Sequence, residues 1–330
     1  MKKTVQIFTA AMAVMAICAT VAFAYDSLIP VGKTVGIRMT VDGILVDDFK
    51  DVETSRGVCS PAKDSGLKKG DLIRSVDGKT LSSASDFVKS VAQSGGRMLD
   101  LTVIRDRNEI SLSLTPVADV GGQFRAGLII RDEIDGIGTV TYFDPSTGDF
   151  GALGHGICDK NGNTIPSTDG ELIASDVASV EQGRVGIPGS LIGEFYPDKI
   201  IGDLDRNSEA GIFGTINSDC FEGTPMELGE PTEGEVTIMC CVKGNETKQY
   251  RAEIVKITGD DTRNFILRVT DGELLAITGG IVQGMSGSPI LQDGKLVGAV
   301  THVFINDPTS GYGISIEKMT SFVSESRHAA

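Results

Sequence analysis

Glycine recurs along the whole chain, at 41 of 330 positions, and this density limits the fold more than any other feature. The usual share is about 7%. Inside a helix each glycine costs about 0.5–1 kcal/mol relative to alanine, whereas in a tight turn it adopts conformations closed to other residues. A helical bundle is therefore disfavoured and a turn-rich β architecture expected. Apolar residues make up 40% of the chain, enough for packed cores, and the length suits about two domains. Lys and Arg number 30 against 45 Asp and Glu, a formal charge of −15. That balance argues against a nucleic-acid binder, which needs a basic face.

The N-terminus reads as a targeting segment. Lys2 and Lys3 precede an uncharged stretch from Thr4 to Tyr25 that ends in Ala22-Phe23-Ala24, a small-x-small pattern suited to signal peptidase. Residues 1–24 are thus expected to be a signal peptide or, uncleaved, a membrane anchor, since the stretch is long enough to span a bilayer. Of the six cysteines, Cys18 falls in this segment and Cys59, Cys158, Cys220, Cys240 and Cys241 remain. The odd number and the lack of any C-x-x-C spacing favour buried thiols over a disulfide framework or zinc site. No metal or cofactor is expected. Asp219 to Glu235 holds six acids and no Lys or Arg, but the spacing is irregular for calcium and a solvated loop is the simpler reading.

Residues 33–118 read as a small α+β domain. Ser60 to Gly66 suits a short helix with Pro61 early, where its missing N–H is harmless. Leu72 to Val76 alternates as a strand does, Asp77-Gly78 is a tight-turn dipeptide, and Ser85 to Gln93 carries Phe87, Val88, Val91 and Ala92 on one helical face. Met98–Arg105 and Glu109–Leu114 form two further strands. The run Gly66-Leu67-Lys68-Lys69-Gly70-Asp71 before a strand, then Asp-Gly, then the helix, resembles a PDZ domain of the bacterial protease type. The resemblance implies that Val35-Gly36-Ile37 cradles a peptide C-terminus while the next strand pairs with the peptide; the alternative is a scaffold docked on its own neighbour. Thr115 to Gly122 reads as the linker. Residues 119–330 read as short strands with Gly-rich turns, with strands expected at 137–143, 150–153, 212–216, 235–242, 250–257, 264–269, 296–304 and 313–316 and little helix before Glu317–Glu325. This pattern suggests a barrel or sandwich.

The segment that bears chemistry is Gly279-Gly280-Ile281-Val282-Gln283-Gly284-Met285-Ser286-Gly287-Ser288-Pro289. A serine held among small neighbours before a strand lets backbone N–H groups converge on one point, and such a nest stabilises an oxyanion. It is not the elbow of α/β hydrolases, because Ser288 stands at the fifth position and a strand follows. It resembles Gly-x-Ser-Gly-x-Pro of chymotrypsin-like serine proteases. The downstream strand, turn Gln292-Asp293-Gly294 and strand Lys295–Val303 agree with that register, and in that fold the second strand borders the substrate cleft, here at Thr301, His302 and Val303. His155, in Gly151-Ala152-Leu153-Gly154-His155, precedes the serine in the order of that fold and suits a general base; His302 is better placed to line a subsite, and His328 is three residues from the end.

Taken with Ile201–Ser208, Gly211–Thr215 and Thr301–Gly313, these stretches closely resemble the stage IV sporulation B (SpoIVB) serine peptidase family from about Lys33 to Met319. The resemblance implies a mostly β fold, a small α+β PDZ domain followed by a chymotrypsin-like double β-barrel peptidase domain. It implies His155 as base, Ser286 as nucleophile and Asp271 as the acidic member; the general chymotrypsin spacing leaves Asp198, Asp203 and Asp205 as rivals. The amides of Gly284 and Ser286 would form the oxyanion hole. Ser288, before Pro289, is set aside as nucleophile, and Cys158 is read as packing. The resemblance further implies export to the space between forespore and mother cell, cleavage of a membrane-protein regulator of an intramembrane metalloprotease, and self-cleavage, which together release processing of a sigma-factor precursor. A general envelope quality-control protease, or a non-catalytic PDZ signalling module, are the competing readings.

Overall fold

A computed structural model describes residues 27–159 and 162–327. The targeting segment expected over residues 1–24 lies outside them. Strands β1 (Ser27–Pro30) and β2 (Thr34–Phe49) open the fold. A small unit follows: β3 (Val52–Thr54), β4 (Gly57–Cys59), α1 (Pro61–Asp64), β5 (Leu72–Val76), β6 (Lys79–Thr80), α2 (Ala84–Gln93), β7 (Leu99–Arg105), β8 (Asn108–Leu114), β9 (Val117–Ala118) and β10 (Phe124–Arg125). Local chemistry explains its elements. Asp77 and Gly78 both take positive φ, 50° and 76°, as a type I′ turn requires. Ser83 caps α2 by accepting the Asp86 amide, and Phe87 and Val91 face the core.

The chain then forms β11 (Leu128–Phe143), β12 (Asp149–Ala152), β13 (Ser167–Glu181), β14 (Ser190–Ser208), β15 (Gly211–Ile216) and β16 (Met226–Glu227). The pairing order β11-β12-β15-β14-β13-β2, with β2 returning to β11, closes six strands into a ring. A second barrel follows from β17 (Gly234–Cys241), β18 (Thr247–Ile257), β19 (Phe265–Val269), helix α3 (Gly272–Thr278), β20 (Pro289–Gln292), β21 (Lys295–Phe304) and β22 (Asp307–Ser315), closed in the order β17-β18-β19-β22-β21-β20. Helix α4 (Ile316–Arg327) ends the described chain and buries Ile316 and Met319. The expected mostly β architecture of two barrels and an α+β unit is therefore what the residues form.

The division of the chain differs from a cut at residue 33. The first half of β2 is a barrel strand, with Val35 opposite Gly138 of β11 on one edge and Ala174 of β13 on the other. Its second half leaves the barrel, where Ile44 and Leu45 pair with β5 and Val46 faces Ile130 of β11. The small unit is thus spliced into the first barrel on a two-stranded ribbon. Each part keeps its own core: Phe87, Leu99 and Val103 in the small unit, Met39, Phe150 and Leu172 in the first barrel, Ile238, Phe265 and Met285 in the second. The expected linker at 115–122 is itself folded, since β9 and β10 form a hairpin whose Asp119 carboxylate accepts the Gly121 and Gln123 amides. The five cysteines of the described residues are free.

Candidate active site

Helix α3 ends at Gly279, in the left-handed region at φ 73°, and releases the chain into the loop that carries Ser286. The first barrel supports this loop from below. The Thr139 amide of β11 donates to the Ser286 carbonyl at 3.0 Å, and the Thr139 hydroxyl donates to the Gly284 carbonyl at 2.7 Å. Gly287 explains why no larger residue fits, because at φ 95° a Cβ there would fall on the Thr139 carbonyl oxygen. Among the described residues the amides of Gly284 and Ser286 have no acceptor within the chain, so both are free to serve an incoming oxygen. The Ser286 hydroxyl, half-buried, donates to the Thr301 carbonyl at 2.6 Å. Ser288 is fully buried and donates to Met285, which removes it as a nucleophile.

His155 reaches the same cavity from the end of β12. Leu153 and Gly154 take φ of 69° and 67°; the left-handed region costs a non-glycine residue roughly 1–2 kcal/mol, a strain stored beside the site. At Gly154 a Cβ would meet the Thr301 and Ile314 methyls at 3.0 and 3.1 Å, so a larger residue would push both aside as the turn closes on β21. Nδ1 of His155 lies 2.9 Å from the Gly156 carbonyl. A carbonyl only accepts, so Nδ1 carries the proton and Nε2 is left as the lone-pair nitrogen that a general base needs. The His302 ring packs 4.5 Å away at 36°. Burial pushes the His155 imidazole below its ordinary range, its bond to Gly156 opposes this, and the charge of Arg263 lowers it further. Desolvation, His155 and Arg263 together bring His302 down to about 4. Both rings are therefore neutral at pH 7. Ser286, His155, His302 and Gly284 line one cavity of about 700 Å³ between the barrels. A serine hydroxyl, a neutral imidazole and two free amides at one cleft are the parts of acyl transfer.

The remaining expected residues are placed elsewhere. Asp271 caps α3: its carboxylate accepts the amides of Glu273 and Leu274 at 2.9 and 3.2 Å and that of Arg251 at 3.3 Å. It does not line the cavity, and neither do Asp198, Asp203 or Asp205 on β14. In this structure the group that accepts from His155 Nδ1 is the Gly156 carbonyl. Val35-Gly36-Ile37 does not form a peptide-binding loop, because it lies in mid-strand with both edges paired. The groove of the small unit lies instead between α2 and residues 50–53, where the chain's own linker bonds to that edge through Val120 to Glu53 and Lys50 to Gly127, each 3.0 Å. Of the cleft trio, His302 lines the cavity, Thr301 is buried and supplies its carbonyl, and Val303 packs into the second barrel. Cys158 lines the cavity as a thiol whose pKa burial raises, so it is a poor nucleophile. Sequence reasoning missed Arg263, which sits on the cavity wall; its surroundings in sequence, Asp260-Asp261-Thr262-Arg263, read as an ordinary polar turn.

Comparison with known proteins gives two family matches. The chain matches the family described as SpoIVB peptidase S55 over residues 122–320 and the PDZ domain family over 36–115. It is similar to serine protease HTRA1 of Xenopus laevis, 37% identical over 57 residues, which is 17% of this chain and 12% of that protein. It is similar to the same extent, 37% over 57 residues, to the regulator of sigma-W protease RasP of Bacillus subtilis (strain 168), covering 17% of this chain and 14% of that one. The chain thus spans only a small part of these curated relatives. Among solved structures, the PDZ domain of the SdrC-like protein of Listeria innocua matches at a TM-score of 0.23 and 22% identity, over 27% of this chain and 92% of that one. The Rv3671c protease of M. tuberculosis H37Rv, in an inactive form, matches at a TM-score of 0.34 and 12% identity, over 58% and 81%.

Proposed function

The chain belongs to the SpoIVB peptidase S55 family, and from that premise we propose that it is a serine endopeptidase with Ser286 as nucleophile and His155 as general base. The observation that carries this reading is the convergence of the Ser286 hydroxyl, a neutral His155 with its Nε2 free to accept, and two unengaged amides in one cleft. In the described state Ser286 donates to Thr301 rather than to His155. The reaction requires the hydroxyl to exchange Thr301 for the imidazole of His155, which lines the same cavity. His155 takes the hydroxyl proton as Ser286 attacks the scissile carbonyl, the amides of Gly284 and Ser286 hold the oxyanion, and the imidazolium returns the proton to the leaving amine. Water then repeats the sequence on the acyl-enzyme. Asp271 acts as a positioning residue, by fixing the start of the helix that delivers the nucleophile loop.

The family premise extends the reading to biology. The protein is exported, held between the forespore and mother-cell membranes of an endospore-forming bacterium, and cleaves itself and a membrane-protein regulator of an intramembrane metalloprotease. Its PDZ domain takes a peptide of the substrate or of the chain itself. The test is incubation with a fluorophosphonate probe and with that regulator. Wild type is expected to label and to cut the regulator at one or two sites, and Ser286→Ala or His155→Ala to lose about a millionfold in rate. Labelling that persists in Ser286→Ala overturns the nucleophile, and degradation of unfolded casein with the regulator left intact favours quality control over signalling.

A further inference from the structure

The charged side chains lining the cavity of Ser286 and His155 are Asp135, Glu209 and Arg263, apart from the two neutral histidines. Both acids are already engaged from outside the cavity: Asp135 pairs with Arg38 at 3.5 Å, and Glu209 with Arg107 at 2.8 Å. Arg263 differs. Its guanidinium lies over the Tyr312 ring, 5.2 Å from the ring centre, and has no carboxylate within 4 Å among the described residues. The nearby Asp260 carboxylate is turned to the backbone amides of Thr262 and Arg263. A guanidinium carries its five N–H donors in one rigid plane, a shape that matches a carboxylate. The chain as a whole is acidic, so an exposed cation with no ion-pair partner on the wall of the substrate cleft is the exception in its electrostatic field. The neighbouring strand gives the site a way to hold a peptide. β21 loses its β20 partner beyond Ala299, and its ladder with β22 is interrupted between Val300 and Val303, so an extended substrate can lie along Thr301–Val303 with a side chain beside His302 and Arg263.

We propose that Arg263, backed by Tyr312, forms a subsite for an acidic side chain, Asp or Glu, at one fixed position flanking the scissile bond. This rests on the peptidase reading above. The neutral His302 ring adds a donor N–H on the same side of the cleft without repelling Arg263.

The test digests a tryptic proteome peptide library with the full chain and reads the cut positions by mass spectrometry, in parallel with fluorophosphonate labelling. Expected is an enrichment of Asp and Glu at one position. A peptide carrying that Glu should exceed its Gln counterpart in kcat/KM by about tenfold or more, as a charge-assisted bond warrants, and the margin should shrink with added salt. Arg263→Gln should erase the preference, so that the Glu and Gln peptides are cut with equal kcat/KM, and Arg263→Glu should turn it toward Lys and Arg. Labelling and cleavage without an acidic preference, or a preference kept in Arg263→Gln, overturn the subsite alone. Absence of both labelling and cleavage overturns the peptidase reading and the subsite with it.

Discussion

His155 is oriented by its own chain: the carbonyl of the next residue fixes its tautomer, a part that a carboxylate plays in the familiar triad. The arrangement lacks the negative charge that would stabilise an imidazolium, and both burial and Arg263 push the ring toward neutrality. Its protonation thus falls below the ordinary value of about 6.5. Since the neutral ring is the active one, kcat/KM should hold as pH falls past about 6.5 and decline only further down. Replacing Arg263 by Gln removes a repelling cation and should move that acid limb upward. A pH–rate profile of both proteins checks this, and an unmoved limb refutes it. Ser286 could be read from the sequence because Gly-Met-Ser-Gly-Ser-Pro fixes a local turn. The partner of His155 could not, because a backbone carbonyl has no sequence signature. Nor could Arg263, whose meaning comes from Tyr312, far along the chain.

At the scale of elements, the nucleophile loop hangs between a cap and a floor. Asp271 caps α3 by accepting two of its amides and also accepts the Arg251 amide of β18. Asp271→Ala should lower unfolding free energy by about 1 kcal/mol and reduce the cleavage rate, while Asp271→Asn, an equally good cap, should restore stability; denaturant titration reads the first and third of these. Thr139 supplies the floor. Gly287→Ala forces a Cβ onto its carbonyl and should cost several degrees of Tm together with fluorophosphonate labelling. The short strands were legible from alternation and turn residues, and so was α2, whose Phe87 and Val91 mark one face. The long hairpin of β13 and β14 was not, because Gly193, Pro197 and Gly202 break the pattern and the register shifts near them; such bulges admit a proline that a regular ladder rejects. α3 was hidden because seven residues after Asp271 are too few to show a helical period. The tripeptide Val35-Gly36-Ile37 misled for a related reason: apolar residues flanking glycine suit a binding loop and a buried strand alike, and only the pairing partners tell them apart.

Across the whole molecule, the small unit is an insertion rather than a bead on a string. Thr40 of β2 faces Glu133 of β11, so Val41 and Asp132 are positioned to be joined by a two-residue turn. Excising residues 42–131 and bridging with Asn-Gly, the favoured hairpin pair, should leave a folded double barrel that still labels at Ser286; loss of cooperative unfolding in that variant would show that the ribbon needs its insert. The two-domain scale and the β character were visible in length and glycine content, but the splice was not, since a strand that serves two units looks like any other strand. That splice also sets an order of events for a chain made from its N-terminus. The small unit has its last strand of its own once Arg125 is made, whereas the first barrel waits for β11 to β15, and the cleft waits further for the second barrel. Distant pairings form slowly, and domains fold as units while synthesis proceeds. The hydrolytic centre is therefore the last part of the molecule to be assembled, and the nascent chain spends its early life with a finished small unit and no working cleft.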